Sequence, residues 1–479
     1  MESSPEAPGT PVLPERVRAV NVGLGMFADA LRAQGAEVVD VDWRIPAGGR
    51  RDLVRALERL YGRHSAQVEA ANGEVVRRLD DGAPSLERVG TAIDDVPGMG
   101  PRTVLHPGPP LEWDRFCDPL RRSVRAVAIT EGWASTPEEA ERLVESGQVE
   151  LAPANEHACA IPMASALGPS APVLVVENPQ GSNRAFSGLN QGPGKTPWFG
   201  VDTPEAVQRL VFLRDAVGPV MREMLERSGP VDVFALVAQG LQMGDDSHMR
   251  IQATTNLFIR QLVPHLAAAE HPARVEVARH VSQNHLLFLN VAMAAAKAVA
   301  DHASNVPGSS VVTCMARNGT TFGIRVSGTG DRWFIGDAPS VEDALYHSGY
   351  GPEDGAPDIG DSAVLELIGL GGAAAAASPA VAAFVGGTIA DAVATTEAVD
   401  GVCVGRSRRF RLPYLDLRGS PLGVDARRVV ETQVTPAITT GILHRSAGLG
   451  QVGAGVARAP MVPFEDALLA LDAELAGSR

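Results

Sequence analysis

The chain is poor in cysteine, in aromatic residues and in positive charge. Four cysteines in 479 residues, Cys117, Cys159, Cys314 and Cys403, lie far apart. With no Cys-x-x-Cys pair, neither a zinc ribbon nor a thioredoxin-like motif is present, and free thiols in a reducing cytoplasm are expected. Lys and Arg total 42 against 57 Asp and Glu, a net charge of −15, which argues against a nucleic-acid-binding surface. Long apolar runs are also missing. The one uncharged stretch, Leu367 to Ala390, is mostly Ala and Gly and is broken by Pro379. Its composition predicts a tightly packed buried helix pair and no membrane span. The N-terminus lacks the apolar core of a signal peptide, and residues 1–15 read as a disordered tail.

What the chain has in quantity is Gly, at 50, and Pro, at 35. Its length allows several domains. Periodicity predicts an irregular α/β (α+β) architecture: an N-terminal α/β domain over 16–202, a mainly helical region over 203–305 and a C-terminal α/β domain over 306–479. The chain opens β-α-β, with Gly23-Leu-Gly25 at the first turn. This is half of a dinucleotide fingerprint with the third glycine missing, and no cofactor is expected from it. Asp52 to Leu79 reads as helical, and Thr136-Pro-Glu-Glu139 has the residues of a helix start. His347 to Ser362 reads as a long irregular loop with four carboxylates, of a length uncommon unless functional or disordered, and Gly448 to Gly455 as a Gly-rich turn.

The densest functional signal is Met315 to Ile335. It holds Arg317, Arg325 and Arg332 with Asp331, beside Asn318 and Gly-rich turns. Strand-held guanidinium groups next to exposed backbone N–H groups suit a small anion; a solvent-facing β-meander is the plainer alternative. A second candidate loop follows the strand Val173–Val176, carrying Asn178 and Arg184 and then Lys195. The cluster Gly244 to Arg250 supplies Asp245, Asp246, His248 and Arg250, and His285 lies before the helix Leu286–Ala300, which carries Lys297. Asp/His ligation of a divalent metal is chemically allowed there, but the spacing matches no strong metal motif and none is expected. A helix-capping role for Asp245 or Asp246 is the alternative.

The run of Asn21-Val-Gly-Leu-Gly25, His106-Pro-Gly-Pro-Pro110, Val175-Val-Glu-Asn178, Met243-Gly-Asp245, Met315-Ala-Arg-Asn-Gly319, Gly330-Asp-Arg-Trp333, Pro357-Asp-Ile-Gly-Asp361 and Gly450-Gln-Val-Gly-Ala-Gly455 resembles the YlbE-like (AllG-type) family over about residues 16 to 470. The resemblance implies a subunit of oxamate carbamoyltransferase. That enzyme converts oxalurate and phosphate to oxamate and carbamoyl phosphate, and works with FdrA-like and AllH-like partner subunits in a hetero-oligomer. On this reading the three arginines, with Asn318, Asp331, Asn178, Arg184, Lys195 and Arg250, bind substrate or phosphate, while His248, His285 and Asp245 handle protons. Two alternatives stay open. One is a non-catalytic assembly subunit, and the other a stand-alone enzyme on another carbamoyl substrate.

Overall fold

The computed structural model describes residues 17–41, 45–341, 344–383, 387–446 and 448–477. The tail expected over residues 1–15 lies outside them. The core is built around the helix Leu289–His302, whose residues from Leu289 to Ala300 are all buried. A helix apolar on every side is stable only when enclosed. Its alanines let neighbours approach closely from all directions. On one side it packs on the strands Pro172–Asn178 and Asn183–Gly188; on another it meets the short helix Val364–Leu367 and the strand Val312–Asn318.

The expected mixture of helices and strands is borne out, and most of the sheet is antiparallel. One four-stranded sheet runs in the order Asn183–Gly188, Pro172–Asn178, Ser85–Thr91 and Val231–Asp232, every pair antiparallel. A second runs Phe334–Asp337, Thr321–Val326, Val312–Asn318 and Ile359–Gly360, again antiparallel. A third joins Ala344–Tyr346, Gln451–Arg458 and Ala437–Leu443. Parallel pairing occurs between Arg18–Val22 and Glu37–Val41, between Thr103–His106 and Glu150–Pro153, and at one isolated bridge, Cys159 to Phe186. One cluster of buried apolar side chains draws on residues from Ala47 to Leu475.

Several local expectations hold in detail. Thr136 accepts a hydrogen bond from Glu139 N and caps the helix Pro137–Glu145. The opening unit is strand, helix Gly25–Ala33, strand. Others need correction. The helix expected from Asp52 to Leu79 is two, Arg51–Tyr61 and Ser65–Asp81, parted at Gly62. Gly450 to Gly455 is no turn. From Gln451 on it is a strand whose glycines let Leu345 O and Ala344 come close. The stretch after Val173–Val176 is a hairpin turn between antiparallel strands, so it is not the ligand-binding end of a parallel sheet. The Ala-rich run is a 3-10 helix, Gly371–Ala377, and a single turn, Pro379–Ala382, buried at every residue from Gly371 to Ser378. No helix among the described residues is long and apolar enough to cross a membrane.

Candidate functional site

Beneath the third sheet lies a group of charged side chains that touch almost no solvent. The largely irregular stretch after Tyr346 delivers Asp358 and Asp361, and the short helix Val364–Leu367 delivers Glu366, all 3% exposed or less. Long irregular connections are uncommon unless functional or disordered. Arg317 meets Asp358 through two bonds, Nε to Oδ2 at 2.7 Å and Nη2 to Oδ1 at 3.0 Å, and donates Nη1 to Gly360 O at 2.6 Å. Thr440 Oγ1 donates to the same Asp358 at 2.8 Å. Asp361 accepts from Gly108 N at 2.8 Å and Ile161 N at 3.1 Å, which ties two loops of the N-terminal half to the C-terminal half. Burial lifts the Asp361 carboxyl to about 7.

His248 lies at the centre of a second group. Its Nδ1 is 2.9 Å from Glu366 Oε1. Glu366 also accepts from Gly372 N at 2.7 Å and Thr439 N at 3.1 Å. Asp246 closes the turn that presents His248, accepting from the backbone N–H of His248, Met249 and Arg250 and from Thr439 Oγ1 at 2.9 Å. Desolvation holds the imidazole well below its ordinary pKa. Desolvation, with the nearby Asp246 charge, holds Glu366 well above the carboxylate range. These two shifts favour a carboxylic O–H donated to Nδ1. In that tautomer Nε2–H has no protein partner among the described residues.

His248 lines a small recess of about 30 Å³ together with Ser362, Thr440 and Gln451, walled by apolar residues that include Trp198 and Leu289. The arrangement offers one hydrogen-bonding imidazole backed by a protonated carboxyl, hydroxyl and amide groups beside it, and dry walls. No group of three or more His, Cys, Asp or Glu side chains that could hold a metal occurs among the described residues.

The sequence candidates fall in different places. His248 reaches the recess, while Asp245 accepts from Ala253 N and from both N and Oγ1 of Thr254, capping the helix Gln252–Ala268. Arg250 stands 3.8 Å from Asp245 with its side chain 41% exposed. His285 is exposed and gives its carbonyl to Thr255 Oγ1. Asn318 is buried and closes the turn before Thr321, its Oδ1 accepting from the N–H of Thr320 and Thr321. Arg317 is saturated by Asp358. Arg325 pairs with Glu156 at 3.0 Å and lies over Trp333, while Arg332 is exposed over Phe334. Asp331 is exposed, 3.8 Å from Arg325. Asn178 is fully buried at the end of its strand with Nδ2 on Asn183, whereas Arg184 pairs with Glu177 at the surface and Lys195 is exposed. The structure therefore does not gather the three arginines. Sequence reading passed over Glu366, Thr439 and Thr440. Glu366 had a signal, bordering a long uncharged run that Asp391 closes at its other end; the threonines had none.

Two comparisons with known proteins name the same family. Residues 149–362 match the model of "Oxamate carbamoyltransferase subunit AllG". The chain is 39% identical to oxamate carbamoyltransferase subunit AllG of Escherichia coli K12 over 85% of its length and 97% of that protein's. It is 36% identical to the uncharacterized protein YahG of the same strain, over 95% of this chain and 96% of YahG. A crystal structure of a conserved protein of unknown function from Enterococcus faecalis V583 superposes with a TM-score of 0.83 at 34% identity, covering 85% of this chain and 98% of that one. The match therefore spans the buried carboxylate loop and its arginine as well as the overall fold, and the chain belongs to the AllG family of oxamate carbamoyltransferase subunits.

Proposed function

We propose that this chain is a subunit of a carbamoyltransferase that interconverts an oxalurate-type ureido compound plus phosphate with oxamate plus carbamoyl phosphate, together with FdrA-like and AllH-like partner subunits. Family membership supports the reaction class. The observation that supports a chemical role within it is the His248–Glu366 pair at the recess, neutral and with Nε2 free.

The reaction needs a proton moved and little else in covalent terms. A phosphate oxygen bonds to the ureido carbonyl carbon, the C–N bond to the amide nitrogen breaks, and that nitrogen leaves as the NH₂ of oxamate. Without a proton the departing amide anion is prohibitively basic, so a positioned acid is the main requirement. His248 Nε2–H gives that proton while the Glu366 O–H moves to Nδ1. The proton lost by the attacking hydrogen phosphate returns to the pair, and the balance closes. The Ser362 hydroxyl, which lines the recess, serves as donor to the carbonyl oxygen as it gains charge, while that of Thr440 stays on Asp358.

Reconstitution tests this reading. The chain is combined with the partner subunits and phosphate-dependent carbamoyl phosphate release from oxalurate is followed. His248→Gln is expected to lower kcat by about 10²–10⁴-fold with the assembly intact. Absence of turnover with every partner combination rejects the reaction. A second reading, a subunit that only organises its partners, is favoured by the exposure of Val20, Val22, Leu24, Met26, Phe27 and Val39 on the opening β-α-β unit. It predicts that His248→Gln leaves the activity of the complex unchanged.

A further inference from the structure

The hairpin Val312–Asn318/Thr321–Val326 has a second face, and polar groups with too few acceptors converge on it. Arg325 stands opposite Cys314 in the strand register. Cys314 Sγ donates to Asn155 Oδ1 at 3.3 Å. Lys297 reaches the same place from the central helix, 4% exposed and within electrostatic reach of both Cys314 and Arg325. Desolvation works against its charge, but the carboxylate of Asp301 more than restores it, so the ammonium stays protonated. Cys314 is held as a neutral thiol, its pKa pushed up to about 12 by burial. It is therefore no nucleophile here.

The hydrogen-bond count around this point does not close. Asn155 is 5% exposed, yet its Nδ2 has no partner. Arg325 Nε is buried and likewise unpartnered. An ammonium carries three donors, and Lys297 Nζ uses one, on Asp301 Oδ1 at 2.5 Å. Buried polar groups are nearly always satisfied, so unmet donors on three side chains from three separate elements require an explanation. Two of the three side chains are cations, and nothing but donors is left over. A ligand that only accepts, and is negative, meets the deficit.

We infer that Lys297, Asn155 and Arg325 form a binding site for a small oxyanion, of the carboxylate or phosphate class. Glu156 stands at its outer side, 40% exposed, accepting from Arg325 Nη2 and from Trp333 Nε1 at 3.0 Å each. The Trp333 ring under the guanidinium, 4.4 Å away, keeps Arg325 in place. Asp361, within electrostatic reach of Lys297, is followed in the chain by Ser362 of the His248 recess. The inference comes from unmet donors alone and stands or falls separately from the carbamoyl-transfer reading.

Direct binding to the full chain tests it, with inorganic phosphate and oxamate as separate probes in isothermal titration at constant ionic strength. At least one of the two is expected to bind. Lys297→Met, close in volume, and Arg325→Gln are each expected to weaken it about tenfold or more, while the exposed Arg260→Gln leaves it unchanged. Binding of phosphate alone assigns the phosphate class, and binding of oxamate alone the carboxylate class. Should a buried variant melt early, Asn155→Leu gives a neutral check of the same site, and the wild-type melting temperature should rise with the bound anion but not with chloride. Neither probe binding, or equal binding by wild type and every site variant, overturns the inference.

Discussion

Arg317 and Arg325 belong to one β-hairpin yet face opposite sides of its sheet. Arg317 is paired in register with Phe322, and Arg325 with Cys314. Residues three apart on a strand point in opposite directions, and directly paired residues share a face. The two guanidinium groups therefore cannot close on one ligand. They serve different surroundings: Arg317 the buried Asp358, Arg325 the donor-rich face with Lys297 and Asn155.

This division makes Arg317 a folding residue. Removing it leaves Asp358 buried and without its partner, since Thr440 Oγ1 and a backbone N–H alone face the carboxylate. Breaking a buried pair from one side costs about 3–5 kcal/mol, whereas replacing both members with apolar groups is often near neutral. Arg317→Met is expected to lower the unfolding free energy by that amount. Arg317→Met/Asp358→Leu is expected to recover most of it, as read by urea denaturation.

The same comparison shows what the sequence could carry. The hairpin, its glycine turn and the density of arginines were all legible, because turn chemistry and alternation are local. Their convergence was not, because facing is set by register, and register follows from a two-residue turn at Gly319-Thr320 that periodicity does not resolve. Likewise Gly244 to Arg250 was recognisable as a polar cluster. That Asp245 caps a helix while His248 turns inward depends on Glu366, 118 residues further on. A long irregular loop signalled function through its length. Which of its carboxylates would be buried was decided by Gly108, Ile161 and Thr440, all remote in sequence.

Gly108 is a tight point of the junction between the two halves. Its φ is +84°, and a Cβ added there would lie 2.8 Å from Arg317 C and from Asn318 N. Neither atom can retreat without moving the strand, and an alanine is strained at that φ in any case. Gly108→Ala is expected to destabilise by at least about 2 kcal/mol. It should also free the 106–110 loop, seen as faster backbone hydrogen exchange at Gly108 and Ile161.

Asp361 should make stability fall with rising pH. Its folded pKa, about 7, lies above the ordinary value of 3.8 because of burial. The folded chain therefore keeps a proton that the unfolded chain releases. This contribution is fully present below about pH 4 and is lost as pH rises through 7. Asp246, pushed up to about 6 by burial, acts in the same direction. Asp361→Asn retains an acceptor for one of the two loop N–H groups and cannot ionise. It is expected to flatten the decline in urea midpoint between pH 5 and 8, a change on the order of 1–3 kcal/mol. An unaltered slope would mean that Asp361 stays ionised in the fold.

Glu366→Gln separates proton transfer from mere orientation of His248. The amide keeps the shape, and its NH₂ can donate to Nδ1 just as the acid does, so the ring stays in place and Nε2–H still faces the recess. What the amide cannot do is pass a proton on. If His248 must be recharged through Nδ1 as Nε2 gives up its proton, kcat of the reconstituted enzyme falls by about 10²-fold or more while KM changes little. The pH profile also loses the limb set by the pair. If Glu366 only holds the ring, kcat and the profile both stay near wild type. Gly372 N keeps the amide oxygen as acceptor, while Thr439 N, which bonds to the same Oε1 that meets His248, loses its own, a cost of about 1–3 kcal/mol. A small fall in melting temperature beside a collapsed kcat is the pattern expected of a proton relay.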